Sequence, residues 1–201
     1  MAVGDWWAIV PVRTGTTAKS RLSSIAAPKR AVLALAFAQD TLAAIASCPA
    51  VRGTILVGDP DALRDLGAGV VTVADPGEGL NAALRAGADA VPAGGSAVAV
   101  MADLPALSSQ ALTWALEAGS GHARAFVCDA EGIGTTMLMA REPSQLDPRF
   151  GERSRAAHAA SGAWEITDAR LARLRRDVDS EVALWDAVRL GAGPATRAVL
   201  A

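Results

Sequence analysis

Three cations fall within nine residues near the start of the chain, in Arg13-Thr-Gly-Thr-Thr-Ala-Lys19-Ser-Arg21. They stand among small residues whose backbone amides can approach an anion, and a triphosphate needs such a cradle. The chain has 17 arginines but only two lysines, so Lys19 in such a loop draws attention. The plain alternative is a solvated basic loop. Asp103 follows the apolar run Ala97–Met101 directly and is held by Leu104-Pro105. A carboxylate so placed suits Mg²⁺, which keeps several waters and takes one or two carboxylates beside phosphate oxygens. A turn or helix-capping aspartate would look the same. Asp177 and Asp179, read on a late strand, are expected to face opposite sides, so that only one joins Asp103. Asp179, just before the Ser180-Glu181 helix start, is preferred. Arg149, Arg153 and Arg155 surround Phe150-Gly151, with Ser154 near a helix start, where cations and free amides could hold a second anion.

Other chemistries lack their residues. Thr17-Ala-Lys-Ser20 resembles the end of a P-loop, but Arg13 and Ala18 stand where its glycines are required. Gly77-Glu-Gly79-Leu-Asn-Ala82 matches a dinucleotide fingerprint but follows the third strand rather than the first. His122 and His158 have no zinc-ligand spacing, and no serine–histidine–acid set stands out. Cys48 and Cys128 lie in apolar segments, as buried thiols of a reducing compartment do. A formal net charge of −2 argues against a nucleic-acid surface. No apolar run approaches the ~20 residues that span a bilayer, and Met1–Val12 lacks the features of a signal peptide. A cytoplasmic protein is expected.

These residues must be positioned by the elements between them. Short β-branched runs alternate with alanine-rich segments; alanine alone supplies 46 residues. Strands are predicted at 7–12, 54–57, 70–73, 97–101, 123–128 and 136–139, with helices at 28–46, 80–90 and 109–118 between them. The later part reads as a small helix at 151–161, a strand at 164–167, a basic strand at 170–179, a helix at 181–189 and a loose tail from Gly191. The alternation implies a single α/β domain over 1–201 with a core at about 6–190, its mainly parallel sheet flanked by helices on both faces. Ligands then bind beyond the carboxyl ends of the strands, where the loops 13–21, 58–61, 75–81, 103–105 and 129–135 lie.

Taken together, Val10-Pro-Val-Arg13, Ala18-Lys-Ser-Arg-Leu22, Gly77-Glu-Gly-Leu-Asn-Ala-Ala-Leu84, Ala102-Asp-Leu-Pro105, Gly132-Ile-Gly-Thr-Thr136, Arg149-Phe-Gly-Glu-Arg-Ser-Arg155 and Asp177-Val-Asp179 resemble the guanylyltransferases of deazaflavin coenzyme F-420 biosynthesis. The resemblance runs from about residue 6 to 190. It implies the mixed, GT-A-like (Rossmann-like) nucleotidyltransferase sheet and transfer of GMP from GTP to phosphoenolpyruvate or 2-phospho-L-lactate, with release of pyrophosphate. It also implies roles. Lys19, Arg21 and Asp103 would be catalytic, and Pro11, Val12, Arg13, Lys19, Gly79, Leu80 and Asn81 would meet the nucleotide. Asp103 with Asp179 or Asp177 would hold Mg²⁺, and Thr136, Gly151 and Ser154 would receive the acceptor. Arg13 departs from the lysine such sequences often carry. The downstream enzyme that takes the unstable product is an implied partner. The chemistry agrees: a phosphate monoester, with a second pKa of about 6, is largely ionised at neutral pH and needs no general base. The alternatives are a nucleotidyltransferase with another base or acceptor, of the molybdopterin or isoprenoid-precursor type, and a catalytically silent nucleotide sensor.

Overall fold

Seven short apolar runs pair into one sheet in a computed structural model of the chain, which describes residues 5–12, 22, 25–59, 66 and 70–201. They are β1 (Trp6–Pro11), β2 (Val51–Gly58), β3 (Val71–Ala74), β4 (Ser96–Val100), β5 (Arg124–Cys128), β6 (Thr135–Ala140) and β7 (Trp164–Glu165). Their order is β3-β2-β1-β4-β6-β5-β7. Every pairing is parallel except those of β6, which runs against β4 and β5. The mixed, mainly parallel α/β sheet is the one the sequence predicts.

The central strands show no alternation because both faces are covered; every residue of β6 is buried. On one face α1 (Ala27–Ala46) and α3 (Ser109–Gly119) set Leu42, Ile45, Leu112 and Leu116 against Val10, Val98 and Val100. On the other, α2 (Leu80–Asp89) sets Ala83, Leu84 and Ala88 against Ile9, Ile55 and Val57. A Cβ at Gly87 would overlap Ile9 and Val57, so glycine lets α2 approach this closely.

One detail of the sheet matters for the site. Val127 pairs with Met137 and Cys128 with Thr135, which leaves Thr136 as an extra residue in β6. Such a bulge re-aims the side chains beside it.

Two expectations are corrected. The segment 170–179 is not a strand: a 3₁₀ turn at Ala169–Leu171 leads into α5 (Ala172–Arg175), and chain without regular structure follows. Alanine, leucine and arginine favour helix, Leu171 and Leu174 are both buried at helical spacing, and the Asp168 carboxylate accepts from the Arg170 N–H at 2.8 Å. Nor is the tail loose. After α4 (Ser154–Ala160) and α6 (Glu181–Leu190), the chain ends in α7 (Pro194–Leu200), which packs on α1. The buried Asp40 carboxylate of α1 accepts the N–H groups of Ala195 at 3.0 Å and Thr196 at 2.8 Å. It thereby satisfies two donors that the first turn of α7 leaves open.

Replacing Asp40 with alanine strands both donors, and should lower unfolding stability by about 1–3 kcal/mol. Denaturant titration checks this; an unchanged midpoint would mean that α7 holds without the carboxylate.

Candidate functional site

Because β6 alone runs backwards, the ends of β4 and β5 and the start of β6 meet at one edge. A cavity of about 550 Å³ opens there. Asp103, Asp129, Asp177 and Asp179 line it, together with Thr135 and the Phe150–Ser154 segment.

Each carboxylate is placed by backbone contacts. Asp103 leaves β4, and its neighbour Leu104 donates its N–H to Thr41 Oγ1 of α1 at 3.2 Å. The Asp103 carbonyl accepts from Val178 N–H at 3.1 Å. Val178 is fully buried, and the residues on either side of it turn the same way, as positions two apart in extended chain do. Asp177 and Asp179 therefore both line the cavity. The expectation that they face opposite sides is corrected. Arg175 ties this segment to β5 by donating to the carbonyls of Cys128 and Asp129 at 3.3 Å and 2.9 Å. Asp129 accepts from Ile133 N–H at 2.8 Å and Gly134 N–H at 2.7 Å, which fixes its carboxylate at the end of β5.

The acids crowd one another. The carboxylates of Asp129, Glu131 and Asp177 each place an oxygen within 4.8 Å of the others. Burial first, then Asp103, Asp179, Asp129 and Glu131, pushes the Asp177 carboxyl up to about 7. Hard oxygen donors gathered at this charge density fit a divalent cation of the magnesium or manganese kind; among the described residues Asp129, Glu131 and Asp177 are the three whose oxygens meet, and Asp103 and Asp179 line the cavity beside them. Arg153 is the one basic side chain among the described lining residues.

The facing wall is built by two clamps. Asn81, from the first turn of α2, donates Nδ2–H to the Phe150 carbonyl at 3.0 Å and accepts Phe150 N–H at 2.8 Å. His158, buried in α4, accepts Arg149 N–H on Nε2 at 3.0 Å and meets Thr135 Oγ1 through Nδ1 at 2.9 Å. Between them Gly151 takes φ 139° and Arg153 the left-handed φ 58°, conformations a regular helix would not allow. Buried Ser154 opens α4 and lines the cavity. A side chain at Gly151 would strain the backbone as well as fill space.

The expected site residues thus separate. Arg13, Lys19 and Arg21 lie outside the described residues. Asp103, Asp177, Asp179, Leu80, Gly151 and Ser154 meet at the cavity. Pro11 ends β1, Val12 follows it, and both lie off the cavity wall, with Val12 N–H bound to the Val57 carbonyl at 2.8 Å. Gly79 caps α2 with φ 93°, while the Asn81 amide is occupied by Phe150. Thr136 is 1% exposed and off the cavity wall, where Thr135 stands instead. Arg149 and Arg155 pair with Asp147 and Glu165. Sequence reading missed Asp129 as a site residue, although it follows β5 as Asp103 follows β4.

The family described as "Guanylyl transferase CofC like" matches residues 6–167. The chain is 48% identical over 206 residues to a phosphoenolpyruvate guanylyltransferase of Streptomyces coelicolor, covering 98% of this chain and 96% of that one. It is 45% identical over 203 residues to a protein of the same name from Thermomonospora curvata, covering 98% and 89%. Among solved structures, a nucleotidyl transferase from Methanothermobacter superposes with a TM-score of 0.65 at 19% identity, over 92% of this chain and 97% of that one. A manganese complex from Mycobacterium tuberculosis H37Rv gives 0.58 at 18% identity, over 92% and 97%. These two likenesses show the fold, a mixed α/β sheet flanked by helices.

The Asp177 carboxyl binds a proton more tightly in the folded chain than its ordinary 3.8. Its ionised form is therefore a burden above pH 7, one that fades as the pH falls from 7 towards 3.8. Without divalent cation, Asp177→Asn should be more stable than wild type at pH 8, by up to about 4 kcal/mol. That advantage should vanish near pH 4, and the stabilisation of wild type by Mg²⁺ or Mn²⁺ should be lost. Thermal melts across pH, with and without cation, test both; equal stability at pH 8 would contradict the crowding.

Proposed function

The chain belongs to the guanylyl transferase CofC-like family, and we propose that it transfers GMP from GTP to phosphoenolpyruvate. One observation carries the chemical reading: carboxylates from the ends of β4 and β5 and from the 177–179 segment share a cavity with the Gly151–Ser154 wall. One side suits a cation and the other a small anion. The names of the curated relatives favour phosphoenolpyruvate over 2-phospho-L-lactate as the acceptor.

In this reading an ionised oxygen of the acceptor phosphate forms a bond to the α-phosphorus of GTP. The bond from that phosphorus to the β-phosphate oxygen breaks, and pyrophosphate leaves with its electron pair. The attacking oxygen needs no base, consistent with the lack of a histidine on the described cavity wall. The burden falls on alignment and on charge. Arg13, Lys19 and Arg21 would cradle the triphosphate, and Pro11, Val12, Gly79 and Leu80 would border the guanosine. Asn81 would act by holding Phe150. Asp103 and Asp177, with Asp179, would hold Mg²⁺, which supplies neutralising charge to the phosphate oxygens when bound. Gly151 and Ser154 would receive the acceptor beside the start of β6. No described helix is long and apolar enough to cross a membrane; we place the enzyme in the cytoplasm as one domain, passing its labile product to the next enzyme.

Pyrophosphate release measured with GTP, Mg²⁺ and each three-carbon phosphate in turn tests the proposal. Release with phosphoenolpyruvate that requires both GTP and Mg²⁺ is expected; release with CTP but not GTP would contradict it. Asp103→Asn should cut kcat by about 10²-fold or more while the fold is kept, since it removes a metal-facing charge. Wild-type rates across a Mg²⁺ titration would remove Asp103 from the site.

A further inference from the structure

His158 makes two hydrogen bonds whose directions fix one another. Arg149 N–H is a backbone donor, so the Nε2 it meets at 3.0 Å must be the unprotonated ring nitrogen. The opposite tautomer would set two donors face to face. The ring is neutral, because burial first and then the charge of Arg124 hold its pKa down at about 4. Its one proton therefore sits on Nδ1 and is donated to Thr135 Oγ1 at 2.9 Å. The ring is held edge-on to Phe150, at 5.0 Å between centroids, and tilted against Phe126 at 5.6 Å, which opposes a flip.

The consequence falls on Thr135. Its hydroxyl already accepts from His158, and makes no other hydrogen bond among the described residues. Thr135 is 7% exposed and is one of the residues that line the cavity. A buried hydroxyl with one lone pair occupied and its proton unused presents a donor to whatever enters. The register shift beside Thr136 sets Thr135 opposite Cys128, and an extra residue of this kind re-aims the side chains next to it.

We propose that Thr135 is a substrate-binding residue, its hydroxyl proton donated to an anionic oxygen of the acceptor, and that His158 is the positioning residue that makes the hydroxyl a donor. The inference rests on the guanylyltransferase reading and adds to it a residue that selects for an acceptor oxygen. The hydroxyl meets an anion as a donor and offers a competing donor only the lone pair that His158 leaves.

Thr135→Val keeps the shape of the side chain and removes the donor. The KM for phosphoenolpyruvate should rise by roughly 10- to 100-fold, the range for a hydrogen bond to a charged group. The KM for GTP should stay within about twofold, a split that a loss of folding alone does not produce. Thr135→Ser should restore the acceptor KM. In wild type, ¹⁵N–¹H correlation spectra of the imidazole at neutral pH should show His158 protonated at Nδ1 only. An acceptor KM unchanged in Thr135→Val, an equal rise for both substrates, or an Nε2-protonated ring overturns the inference. If wild type itself releases no pyrophosphate from GTP with either three-carbon phosphate, the reading beneath it fails instead.

Discussion

Repulsion among the carboxylates at the carboxyl edge of the sheet is the constraint around which the rest of the site is arranged. Asp103, Asp129, Asp177 and Asp179 line one cavity, and Asp177 is pushed up to about 7. Left to themselves, such groups would move apart or take up protons. Here the backbone prevents the first. Thr41 and Val178 pin the turn that carries Asp103, Arg175 holds the end of β5, and two N–H groups hold Asp129. The site stores an unfavourable charge density that a divalent cation relieves. The contacts that hold it come from α1, α5 and the sheet ends, so the fold as a whole opposes the repulsion.

The other wall is held by polar clamps that run between distant parts of the chain. Asn81 and His158 each bind one backbone N–H of the Arg149-Phe150 pair, from α2 and from α4. Together they leave Gly151 and Arg153 in conformations that keep the segment from joining the helix. In the proposed transfer, a rigid wall for the anion opposite a rigid wall for the cation is what aligning two polyanions demands, because most of the barrier is alignment and charge.

The sheet was legible in the sequence because each central strand is a short apolar run bounded by glycine, proline or aspartate. Asp103 was legible for the same reason: an acid directly after such a run marks the carboxyl edge. The motif Asp177-Val-Asp179 is legible but its geometry is not, because two acids flanking a buried valine both line the cavity. The clamps were not legible. Asn81 and Phe150 are 69 residues apart, and nothing in either motif announces the other. Thr136 carries the acceptor expectation in the sequence, yet Thr135 lines the cavity, and the extra residue in β6 has no sequence signal. The order of the C-terminal helix is not legible because the residue that caps it, Asp40, lies in the middle of a different helix.

The most direct measurement is anomalous diffraction from crystals grown with GTP and Mn²⁺ in place of Mg²⁺. The account predicts a peak within ligand distance of Asp103 and Asp177, with Asp179 or Asp129 completing the protein side and the remaining ligands supplied by phosphate and water. A peak elsewhere, with these aspartates held apart by other cations of the chain, would contradict the claim that the acidic edge is built for a divalent cation.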